Sequence, residues 1–153
     1  MNGQSANEPK LIFPGLSGFY AAVSDLWYPM IRIAIGAIIF MHGWGKFSGP
    51  GVEGVTGYFG SVGLPMPQLM AYLVIFFETV GAACIVLGLF TRFFASALSI
   101  LLLVAMFAVH WSKGFSAGGG GYEYALFLGV VMFAIALRGG GPYSVDRLIG
   151  KEL

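Results

Sequence analysis

The stretch Phe93–Ser112 runs for 20 residues without an Asp, Glu, Lys or Arg. An α-helix needs about 20 mostly apolar residues to cross a bilayer. In water, such a run would present more bare hydrocarbon than a soluble protein leaves exposed. The rest of the chain agrees, with 58% hydrophobic and 10% charged residues and a mean hydropathy of +0.83. An ordinary soluble domain carries about 25% charged residues. This surface is too poor in charge for a cytosolic enzyme or a disordered tail. Net charge is +1, and the eight Lys and Arg are scattered, so there is no basic patch for nucleic acid. Cys84 is the single cysteine, which excludes an internal disulfide, a CxxC redox pair and a Cys-rich zinc or iron–sulfur site. The chain reads as an integral membrane protein.

Further apolar runs, each broken by one or two ionisable groups, predict an all-α, antiparallel, up-and-down bundle of four membrane helices. They fall at about residues 26–46, 68–89, 92–112 and 122–138, within a domain spanning 26–138. The first carries Arg32 and His42, the second Glu78, and the fourth opens with Glu123. The runs are continuous rather than alternating, which argues against a β-barrel. Asp25 is expected to cap the first helix and Thr91 the third, with Gly88 closing the second. Trp27, Tyr28, Trp44, Trp111, Tyr122 and Tyr143 fall near the proposed ends, as interfacial aromatics do.

Residues 1–25 read as an N-terminal interfacial arm, because the apolar part, 11–23, is short and contains Pro14, Gly15 and Gly18. The charge before it is Lys10 alone and no small-residue cleavage site follows, so it does not read as a signal peptide. The first external loop has a glycine at every third position from Gly51 to Gly63. It is expected to hold a short surface helix around residues 52–61, with Val55, Tyr58, Phe59 and Val62 facing lipid or the bundle. Residues 139–153 read as a tail whose Ser144–Leu148 forms a capped turn at the membrane surface. Lys10, Arg92, Arg138, Arg147 and Lys151 fall on one side of the bundle, and Lys46 and Lys113 on the other. The positive-inside rule then makes both termini cytoplasmic.

At about 100° per residue, Arg32, Ile35, Ile39, His42 and Lys46 share one face of the first helix. Arg92, Ser96, Ser99, Leu103, Met106 and His110 share one face of the third. The polar groups thus form stripes, as expected of faces turned away from lipid. With a rise of ~1.5 Å per residue, Glu78 lies ~15 Å below the external end of its span and Arg32 ~21 Å below. Arg32 is expected to reach across that gap and hold Glu78. The candidate site is the external bundle mouth, built from His42, Lys46, Glu78, His110, Glu123 and Tyr122, with Arg32 beneath. It suits a small polar head group with an apolar tail, such as a quinone; His and Tyr would hydrogen-bond its carbonyls, and Glu78 and His42 would shuttle protons. A plainer account has Arg32–Glu78 as a structural pair, the histidines as interfacial groups and Glu123 as a helix-terminal acid. Two rival accounts stay open: a b-type haem between His42 and His110, or a metal held by His42, His110, Glu78 and Glu123. The second lacks a Glu-x-x-His pair on one helix, and no metal ligand is assigned.

Several motifs fall in a fixed order. Arg32 is followed by His42-Gly43-Trp44-Gly45-Lys46-Phe47, Gly63-Leu64-Pro65, Glu78 and Gly88-Leu89-Phe90-Thr91-Arg92. Then come His110 with Lys113-Gly114-Phe115, Gly120-Gly121-Tyr122-Glu123 and Ser144-Val145-Asp146-Arg147-Leu148. Over residues 26–150 this order resembles the DoxX family of small four-helix membrane proteins; the first 25 residues lie outside its pattern. The resemblance implies a protein of the bacterial inner membrane, and an oxidoreductase or a subunit of an oxidoreductase complex. A related small subunit works with quinone in thiosulfate oxidation, and other members are linked to oxidative and thiol stress. The expected function is therefore that of a subunit in a quinone-linked oxidoreductase system. A partner protein or larger membrane complex would supply electrons, with lipid around the bundle and no nucleic acid; a homo-oligomer stays open. A non-catalytic scaffold or assembly subunit is the alternative, and a small-molecule permease a third.

Overall fold

Helix α1 covers Ser17–Val23, α2 Trp27–Ser48, α3 Gly51–Ser61, α4 Pro67–Leu87, α5 Thr91–Lys113, α6 Glu123–Arg138 and α7 Val145–Ile149. The structure, a computed structural model, describes residues 11–153, so Lys10 and the start of the N-terminal arm lie outside the described residues. Among those described, all regular structure is helical. Helices α2, α4 and α5 are long and apolar enough to cross a membrane. Helix α6 has 16 residues, about 24 Å at the usual rise. The chain is a multi-span, all-α membrane bundle with three apolar spans.

The helix ends follow local chemistry, in part differently from expectation. Gly88 closes α4 with φ +71, a left-handed geometry that glycine adopts without a Cβ penalty. Asp25 does not cap α2. Leu26 precedes that helix with φ −87 and ψ −25, helical rather than the extended backbone a side-chain cap requires. Thr91 does not cap α5 either. It lies inside the first turn, and its Oγ1 is buried without a hydrogen-bond partner among the described residues. The cap comes from Asp146, 55 residues away, whose carboxylate accepts from Phe90 N at 2.7 Å and Thr91 N at 2.9 Å.

The main core joins Ile35 and Ile39 of α2, Ala82 and Ile85 of α4, Leu98 and Leu102 of α5, and Leu128, Met132 and Ile135 of α6. A smaller cluster packs Val55 and Phe59 of α3 on Ala71 and Ile75 of α4. Large apolar side chains such as Met41, Ile100, Phe127 and Phe133 face outward. Lipid is as apolar as these side chains, so helix contact relies on close packing. Glycines provide it between α2 and α4. A Cβ on Gly36 would lie 3.1 Å from Ala82 O, and one on Gly43 would lie 2.6 Å from the Glu78 carbonyl carbon.

Candidate functional site

The close approach at Gly43 sets the level at which α4 presents Glu78. That residue lies in a wide turn, Phe77–Gly81, inside α4. A second wide turn, Met106–His110, interrupts α5 and ends on His110. Such π-type turns insert an extra residue into the helical ladder, re-aim side chains and recur at functional sites. Glu78 Oε2 accepts from Lys46 Nζ of α2, with side-chain exposures of 8% and 32%. His110 Nδ1 lies 2.7 Å from Gly120 O. A carbonyl oxygen only accepts, so Nδ1 carries the proton and Nε2 of the neutral ring is the bare nitrogen. The His42 ring sits 5.6 Å from that of Tyr124.

These groups line one cavity of about 640 Å³. His42, Lys46, Tyr58, Glu78, His110 and Tyr124 are its polar side chains, and Ile39, Phe59, Phe77, Leu101 and Leu128 are among its apolar wall. Four of the expected site residues therefore meet in one chamber: His42, Lys46, Glu78 and His110. Its donors include the Lys46 ammonium and the Tyr58 and Tyr124 hydroxyls; its acceptors include the Glu78 carboxylate and His110 Nε2.

The other three lie elsewhere. Arg32 does not hold Glu78. It is 1% exposed at the opposite end of the bundle, where Nη2 donates to Tyr143 O at 2.9 Å and Nη1 to Gly140 O. Arg32 is only five residues into α2, ~7 Å from the start of the helix. The folded-back tail puts bare carbonyls there, nearer than Glu78. Glu123 leaves the chamber to accept from Ala117 N at 3.0 Å, ordering the glycine-rich loop. Tyr122 stacks on Trp111 with centroids 4.8 Å apart. Among the described residues, no three His, Cys, Asp or Glu side chains converge as metal ligands. His42, His110, Glu78 and Glu123 thus form no metal cluster.

Sequence reasoning missed Tyr124 and Asp146. Tyr124 was legible in principle: it lies one helical turn before Leu128, in line with the buried Leu128, Met132 and Ile135, although its own side chain is 39% exposed. Asp146 is 1% exposed. Besides capping α5, its backbone N–H donates to Gly88 O at 2.9 Å. Around it Tyr28 donates to Gly139 O, and Arg92 Nε donates to Glu152 Oε2 at 2.6 Å. The Gly139–Tyr143 turn and the Ser144-capped α7 carry these groups back over the ends of α2, α4 and α5.

The model of the DoxX family matches residues 28–111, more than half of the chain. The Bacillus subtilis protein named "Putative oxidoreductase CatD" is 33% identical over 122 residues, covering 80% of this chain and 86% of that protein. Two Escherichia coli relatives are named inner membrane proteins. YqjF is 29% identical over 85% of this chain and 97% of its own length, and YphA 31% identical over 84% and 94%. No solved structure matches.

Proposed function

The chain belongs to the DoxX family, and we propose that it is an inner-membrane subunit of a quinone-linked redox system whose quinone head group docks in the Lys46–Glu78 chamber. The observation that carries this reading is the meeting of Lys46, Glu78, His42, His110 and Tyr124 inside one largely apolar cavity. A neutral ring with two carbonyl oxygens suits that donor set. Lys46 Nζ and the Tyr124 hydroxyl hydrogen-bond the oxygens, while the Glu78 carboxylate and His110 Nε2 would take up protons from the aqueous side and relay them to the reduced ring. Bound quinone supplies the capacity for two electrons and two protons. The electrons come from a partner protein in a larger membrane complex, and the redox label in the name of CatD supports that setting.

In this reading α6 is the fourth span of an antiparallel up-and-down bundle, its outward Phe127, Val130, Phe133 and Leu137 facing lipid. The tail end, with Arg92, Arg138, Arg147 and Lys151, faces the cytoplasm, and the N-terminal arm lies at the interface through Phe13 and, on α1, Phe19 and Tyr20.

The test is quinone binding to purified protein in nanodiscs. Glu78→Gln and His42→Ala are each expected to weaken binding about tenfold at unchanged unfolding midpoint. If both bind as wild type does, the site assignment fails. The scaffold reading is favoured by the purely structural polar network around Asp146 and Arg32. It expects Glu78→Gln to loosen folding or partner association, with no ligand effect. Because His42 and His110 line the same chamber, a Soret band in the purified protein would move the assignment to haem.

A further inference from the structure

We propose that the chamber opens sideways into the bilayer between α4 and α5, and that its ligand carries a long apolar chain lying in that opening; the inference rests on the quinone reading of the polar groups. The cavity is elongated. On α5 its lining runs from Ala97 to His110, about 20 Å along the axis, far more than a bare head group fills.

One wall is incomplete. Contact between α4 and α5 is concentrated in the half of α4 from Phe77 onward, where the Phe77 ring meets Phe94 and Gly81 backs onto the same ring. The other half, Pro67–Phe76, packs mainly on α3 and α2. There α4 and α5 part. Leu73 of α4 and Ile100 and Val104 of α5 line the cavity while being 38%, 63% and 47% exposed. In a membrane that exposure is to hydrocarbon. These three side chains are apolar, so between α4 and α5 they offer a charged or hydrated solute no hydrogen bond on the way in; the exposed Tyr58 and Tyr124 line the cavity from α3 and α6.

The same geometry selects among membrane amphiphiles. Glu78 lies mid-way along α4, so a head group reaching it must leave the interface. A phospholipid would have to bring its charge to that depth, at a cost of several kcal/mol. A neutral quinone ring does not, and its isoprenoid chain matches the apolar slot.

The test uses Val104→Trp and Ile100→Trp, which fill the opening from lipid-facing positions away from Lys46 and Glu78. Binding of a long-chain isoprenoid quinone and of a short-chain analogue is measured in nanodiscs. Both variants are expected to lose about tenfold for the long chain and to stay within about twofold for the short one. Equal loss for both quinones, or unchanged long-chain binding, overturns the side opening. If wild type binds neither quinone, the head-group reading fails separately. A second readout then decides the opening: a bilayer-dissolved isoprenoid diazirine, with cross-links mapped by peptide mass spectrometry. Labelling of Leu101 and Ala97, reduced by Val104→Trp, supports it. Labelling confined to the outward Leu103 and Phe107 overturns it.

Discussion

At the end of the bundle where the tail folds back, Asp146 closes the first turn of α5 with both carboxylate oxygens, and Arg32 takes carbonyls from Gly140 and Tyr143. Arg92 and Glu152 tie α5 to the tail beside them. At the other end, Lys46 and Glu78 bond to each other, His110 to Gly120, and His42 has only a ring contact with Tyr124 among the described residues. One end spends its charges on backbone groups that would otherwise be orphaned. The other leaves donors and acceptors with capacity to spare around a cavity. Buried polar groups that are partnered rigidify a fold, and at the tail end Arg32 Nε and Thr91 Oγ1 are the buried side-chain atoms left without a partner among the described residues; spare capacity around a cavity is what a ligand can use. Substitutions at the tail end should therefore lower stability, and those at the chamber should change binding.

The sharpest challenge to that division is Asp146→Ala. It strands the Phe90 and Thr91 amides in a buried setting, at a cost of about 1–3 kcal/mol for each orphaned group. The expected result is a large drop in unfolding midpoint in detergent, with the surviving folded fraction binding quinone as before. Gly43→Leu comes next. Its Cβ would meet the Glu78 backbone, so overpacking should cost about 1–3 kcal/mol and also weaken binding, because this one contact serves both packing and site. Replacing both members of the pair, Lys46→Met with Glu78→Gln, leaves no buried charge stranded, so it should shift stability by less than about 1 kcal/mol, yet weaken quinone binding at least about tenfold. A stability loss as large as that of Asp146→Ala would erase the contrast between the ends. Thr91→Val is the smallest case. It removes a buried hydroxyl with no partner among the described residues, so the unfolding midpoint should hold or rise slightly.

Part of the chamber is legible in the sequence. His42, Lys46, Glu78 and His110 lie on inward stripes, and helical periodicity alone brings such stripes together. Arg32 lies on the same stripe as His42 and Lys46 yet serves the opposite end. Periodicity gives the angle around an axis, while the direction a long side chain takes along it depends on where acceptors lie. Those acceptors are carbonyls of the tail, more than 100 residues on. Glu123 and Tyr122 depart from expectation for a related reason: they sit at the joint between loop and helix, where the 3.6-residue rule has not yet begun to apply.

Apolar length, scarcity of charge and the Gly88 stop are local properties, and local sequence is enough to commit this chain to membrane-spanning helices. The partner of each charge is not local. It was decided by the return of the tail over Gly88 and Thr91, and by the contact of Gly43 with Glu78. Only tertiary packing brings together groups so far apart in sequence and settles which carbonyl or ammonium a buried charge will meet.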